Sequence, residues 1–181
     1  MSERTAAERT LASPRYSNLQ LTALVALRML VGWHFFYEGL SKLVSPYWTS
    51  AGFLAESKWL FSKLFLYVAA NPTPLVMVDF INKWGLLLIG LGLLLGCLTR
   101  AATYGGIALL FLYYIAAPPF AGYAYAMPVE GSYLIVNKVL IELAALLVLL
   151  AFPTGKIIGL DRLIFWKQAP GRLATSSEAA R

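Results

Sequence analysis

The stretch "WHFFYEGLSK", residues 33–42, decides how this chain is read. It lies inside the first long apolar run, yet it holds the only histidine of the protein, His34, together with Glu38 and Lys42. An ionisable side chain surrounded by lipid costs free energy unless it is paired or wet, so each of the three requires a partner or a function. His34 and Glu38 stand four residues apart, on one stripe of a helix.

Composition places the run in a membrane. Of 181 residues, 59% are hydrophobic and 13% are charged, and the mean hydropathy is +0.67. Soluble chains carry about one quarter charged residues. A single core in a chain of this length cannot hide so much Leu, Val, Phe and Tyr without leaving large apolar patches on the outside.

The expected fold is therefore all-α, an integral membrane four-helix bundle forming one membrane domain over residues 1–181. Segments 21–43, 77–98, 101–120 and 133–152 approach the ~20 residues that span the hydrocarbon as a helix. The first is too long for the apolar core of a cleaved signal and lacks a small-residue cleavage site. Arg4, Arg9, Arg15, Arg100, Lys156, Arg162, Lys167, Arg172 and Arg181 fall on one side of an even number of spans, and mainly Lys58 and Lys63 on the other. By the excess of positive charge on the inner side, the expectation is a multi-pass protein of a bacterial-type inner membrane with both termini, tails 1–18 and 168–181, in the cytoplasm. The net charge of +6 follows from this topology and from attraction to anionic lipid, so the lipid bilayer is the expected partner and nucleic acid is not.

The outer segment between the first two spans interleaves Phe53, Leu54, Trp59, Leu60, Phe61, Leu64, Phe65 and Val68 with Glu56, Lys58 and Lys63. That pattern predicts one or two interfacial helices, either a lid or a plain anchor. The outer loop "PPFAGYAYAMPVEG" is also aromatic, and its prolines stop the third helix. Gly90, Gly92 and Gly96 in the second span, with a GxxxG pair at Gly92 and Gly96, and Gly105 and Gly106 in the third, read as helix-packing contacts.

Depth orders the ionisable groups. At 1.5 Å per residue, Glu38 and Lys138 both fall roughly 8 Å inside the outer boundary, and His34 and Glu142 roughly 14 Å inside it. Antiparallel first and fourth helices in one register would pair Glu38 with Lys138 and His34 with Glu142. With Lys42, Asn137, Asp79, Asn82 and Lys83 at similar depth, the polar groups line a pocket open to the outer face. Glu142 and Glu38 are the candidate proton relay. His34, Lys42, Lys138, Asn137, Lys83 and Arg28 are candidates to hold a cofactor or substrate, although Arg28 lies about 10 Å from the inner boundary and equally suits snorkelling to cytoplasmic water. Buried pairs that only fix helix register would show the same matched depths.

Other chemistries lack their motifs. Cys97 has no second thiol for a relay, one histidine cannot make a bis-histidine haem site, and no zinc-binding HExxH, CxxC, GxGxxG or Walker loop is present. No haem, metal or nucleotide is expected, and redox activity would need a diffusible cofactor such as a lipid-soluble quinone, or a partner subunit.

The run "VDFINKWGLLLIGLGLLLGCLTR", residues 78–100, resembles the signature around the second helix of DoxX-type membrane proteins. The stretches "LRMLVGWHFFYEGLSKL", "WTSAGFL" and "NKVLIELAALLVLLAFPTGKIIGLDR" resemble the same family in the same order, so the resemblance covers about residues 25–165. It implies a four-helix inner-membrane protein related to the membrane subunit of thiosulfate:quinone oxidoreductase. The expectation is a quinone-interacting subunit of an oxidoreductase acting on thiosulfate or another reduced-sulfur donor, with a second oxidoreductase subunit or further copies of the chain as partners. The alternatives are a non-catalytic anchor or assembly partner and a small-solute carrier, the latter without an evident inverted repeat.

Overall fold

A computed structural model describes residues 16–126 and 134–164. The termini with Arg4, Arg9, Arg15, Lys167, Arg172 and Arg181, the start of the fourth expected span and part of the outer loop before it lie outside the described residues. Within them the chain is all-helical, without a β-strand.

Local signals set the ends of each helix. Helix α1, Asn18–Val44, opens on a capping box in which Ser17 and Gln20 satisfy each other's backbone N–H groups, and it stops ahead of Pro46. Its buried face runs through Arg28, Val31, Gly32, Phe35 and Gly39 at helical spacing. Two short helices follow, α2 (Ala51–Ala55) and α3 (Ser62–Ala70), where the sequence pattern places its one or two outer helices. Helix α4, Pro72–Leu95, begins on proline and ends at Gly96, whose φ of 65° gives the left-handed C-cap that a side chain resists. Helix α5, Thr99–Ala116, ends before Pro118, and α6, Lys138–Ala151, is capped by Asn137 and ends before Pro153. A 3-10 turn at Thr154–Lys156 and the short α7, Asp161–Ile164, complete the described chain.

Helices α1, α4, α5 and α6 pack in a ring, α1 most extensively on α4 and α6 closing back on α1. The core between them is Val31, Phe35, Leu86, Ile89, Leu93, Leu110, Leu146 and Leu149. Outside, Leu30, Trp33, Ile81, Leu88, Phe111, Leu112 and Ile141 are exposed, so the apolar surface surrounds the ring. Among the described residues two helices, α1 and α4, are long and apolar enough to cross a membrane. Helix α6 has 14 residues, about 21 Å at 1.5 Å per residue, shorter than the expected fourth span because it starts only after the Asn137 cap.

Glycine lets α1 and α4 touch, though by different glycines than the sequence motif names. A Cβ on Gly90 would strike the backbone of Phe36, and one on Gly39 would come 2.5 Å from the Leu87 nitrogen. The Gly92 and Gly96 pair makes no such seam: Gly96 caps the helix, and Gly92 faces Ala102 and the Cys97 carbonyl. Gly106 packs under Leu146.

Candidate functional site

The polar groups gather at the α2 end of the ring. His34 on α1 and Glu142 on α6 meet with Nδ1 and Oε1 2.5 Å apart, which is the cross-helix contact expected from their depth. Against an ionised carboxylate, Nδ1 must carry the proton and donate it. The other ring nitrogen, Nε2, is buried and has no hydrogen-bond partner among the described residues.

Glu38 does not pair with Lys138. Its carboxylate lies 3.3 Å from the Lys42 ammonium on the same helix, a contact that needs no second element to be brought into register. Lys138, the first residue of α6, is exposed and makes neither hydrogen bond nor ion pair among the described residues. The Lys42 ammonium also stands 5.2 Å from the Trp48 ring and 5.8 Å from the Tyr113 ring, and Lys83 approaches Trp48 at 5.3 Å. Tyr113 OH accepts from Asn82 Nδ2 at 2.6 Å, while Asn82 Oδ1 is buried without a hydrogen-bond partner among the described residues.

These residues bound two adjoining cavities. The outer one, about 520 Å³, takes Lys42, Trp48, Asn82, Tyr113, Asn137 and Lys138 among its walls. The inner one, about 160 Å³, reaches His34, Phe35, Glu38, Leu86, Leu110 and Glu142. Lys42, Tyr113, Lys138 and Val139 belong to both, so the cavities meet at a neck of two cations and a phenol.

A strap carrying α2 roofs the outer cavity. Asp79 on α4 accepts from Ser50 through N–H at 2.8 Å and Oγ–H at 2.5 Å. At its other end Glu56 accepts from the Ala126 N–H at 2.8 Å, Lys58 donates to the Ala124 carbonyl, and Trp59 stands edge-on to Phe120 with centroids 4.9 Å apart. Burial, with the Tyr123 phenol and Glu56 alongside, pushes the Tyr125 phenol above its ordinary value, and its OH donates to the Pro118 carbonyl at 2.8 Å.

Two of the candidate residues stand elsewhere. Arg28 is buried at the opposite end of the ring, where Nη1 donates to Thr154 Oγ1 at 3.3 Å, so it belongs to neither cavity. Its neighbourhood is a knot that the sequence did not reveal: the buried Asp161 accepts from Leu98 N at 2.6 Å, Thr99 N at 3.0 Å and Thr99 Oγ1 at 2.5 Å, capping α5 from a distant segment. Lys83 lines neither cavity; its ammonium stands over the ring of Trp48, which lines the outer one. Trp48, Ser50 and Tyr113 are among the pocket residues missed; Tyr113 sits in an apolar span, where a tyrosine reads as core. Among the described residues no group of His, Cys, Asp and Glu side chains is arranged to hold a metal ion.

No family model, no curated protein and no solved structure matches this chain.

Proposed function

We propose that the chain is a DoxX-like, multi-pass inner-membrane protein, a four-helix bundle with cytoplasmic termini, whose paired cavities bind a quinone as the membrane subunit of an oxidoreductase. The observation that carries this reading is the His34–Glu142 pair at the inner cavity, with an unpartnered, buried Nε2 behind a neck of Lys42, Lys138 and Tyr113. The outer volume lies in the range of about 300–1,000 Å³ typical of small-molecule sites.

The residues suit such a ligand. A carbonyl oxygen needs donors, which Lys42, Lys138 and a protonated Nε2 provide, and the orphaned Nε2 and Asn82 Oδ1 are groups that a ligand would satisfy. A bound quinone supplies two-electron, two-proton chemistry. Glu142 fixes the imidazole ring and its tautomer, so His34 can hold a proton at Nε2 or release it there. Glu38, with its side chain 41% exposed, lines the same cavity as this pair and holds the Lys42 ammonium at 3.3 Å. The electrons come from outside the chain, from a reduced-sulfur donor such as thiosulfate or from a second subunit.

The competing reading is a non-catalytic anchor. Asp79 and Asp161 favour it, because the hydrogen bonds of both tie distant segments together. Titrating a short-tailed ubiquinone into the purified protein in lipid nanodiscs separates the two. Saturable quenching of tryptophan fluorescence, weakened by His34→Ala, supports the quinone site, and no saturable binding leaves the anchor.

A further inference from the structure

We infer that the inner cavity opens sideways into the bilayer, through the seam between α1 and α6, and that a quinone ring enters there with its hydrocarbon tail left among the lipids. This rests on the quinone reading above.

The seam is bridged by a polar contact at one level. His34 and Glu142 join the two helices at 2.5 Å. One turn nearer the outer end the helices exchange no polar contact, since Glu38 turns to Lys42 on its own helix and Lys138 is left without a hydrogen-bond or ion-pair partner among the described residues. Residues at this unbridged level are at once cavity walls and surface. Glu38 and Lys138 line the inner cavity, yet the Glu38 side chain is 41% exposed and His34 just below is 34% exposed; Lys138, exposed as well, is shared with the outer cavity. Side chains that line a cavity and also meet the outside stand at its mouth.

The chemistry around the mouth says what it faces. Beside it, Tyr37 on α1 and Ile141 on α6 are exposed, so apolar side chains flank an opening whose interior is ionisable. The outer cavity mixes Thr49, Ser50, Glu56, Asn82 and Asn137 with Trp48, Phe53, Tyr113, Ala117 and Val139 in its walls, and it lies at the end of the ring roofed by the strap. Under the proposed topology a tail led out through that end would finish in the water outside the bilayer, at a cost that rises with every methylene, whereas the seam gives it an apolar surround. Long cationic side chains at such a mouth keep their stems in lipid and turn the charge inward or toward the surface, which suits Lys138.

A ubiquinone analogue with a photoreactive diazirine at the end of its tail tests this on the wild-type protein in nanodiscs, the adducts being mapped by mass spectrometry with and without excess unlabelled short-tailed ubiquinone. The expected result is competed adducts on the lipid-facing side of α1 and α6, around Tyr37 and Ile141, several-fold above those on residues 48–56. Competed adducts concentrated on residues 48–56 would overturn the sideways portal while leaving the quinone site standing. Absence of any competed adduct would overturn the quinone reading and the portal together.

Discussion

His34 is held by one ring nitrogen and unsatisfied at the other, and that asymmetry makes a single glutamate decisive. In Glu142→Gln the side chain keeps its shape and can still accept from Nδ1, but it cannot exchange a proton or stabilise an imidazolium. The expected outcome is normal assembly and retained quinone binding with turnover lowered by about 10²-fold or more, the lower end of what general acid–base catalysis contributes. Normal turnover in the assembled complex would leave the pair with a structural role. At the opposite end, Asp161→Ala strands three donors, two of them at the start of α5. A lost N-cap alone costs about 0.5–2 kcal/mol and each stranded buried donor about 1–3 kcal/mol, so a loss of at least about 2 kcal/mol is expected, measured as a lowered Tm in detergent. Quinone binding at the far end should survive wherever the variant is folded.

Helix contacts follow from where backbone meets backbone. Gly90→Ala places a methyl group on the Phe36 backbone, which cannot swing aside as a flexible side chain would, so α1 and α4 must separate and the Tm should fall. Gly85→Ala is the control on the same helix: its added carbon meets only Leu109 Cδ1 at 3.6 Å, an ordinary contact, and the better helix former should leave stability unchanged or raise it by up to about 1 kcal/mol. Equal effects of the two would show that the crossing is not set by glycine. The strap obeys a different rule, because α2 has 5 residues and a helix so short does not hold itself. Its order depends on anchors such as Asp79. Asp79→Ala should raise amide hydrogen exchange across residues 48–58 while leaving the middle of α1 and α4 protected, and unchanged exchange would place the anchoring elsewhere.

For the whole molecule, the proposed topology puts the strap outside and the knot around Asp161 inside. In a Cys97→Ser background, cysteine at Tyr47, which is 95% exposed, should react with a membrane-impermeant maleimide in intact cells, and cysteine at Lys156 should react only after the membrane is opened. The reverse pattern would turn the bundle over and move both cavities to the cytoplasmic side.

What the sequence by itself determined are the properties carried by pattern along one chain: the all-helical class, the apolar runs, the proline stop of the third helix, and the depth match of His34 with Glu142. These are local or one-dimensional quantities, and helical rise converts them directly into position. Tertiary structure decided the rest, because it turns on how helices rotate and how closely they approach. Rotation sent Arg28 to the Thr154 end and gave Glu38 to Lys42, since a partner four residues away on the same helix needs no second helix to hold it. Close approach chose Gly39 and Gly90 over the GxxxG pair, and it brought Trp48, Tyr113 and Asp161 to sites whose partners lie far along the chain. Sequence spacing carries no record of such contacts; packing creates them.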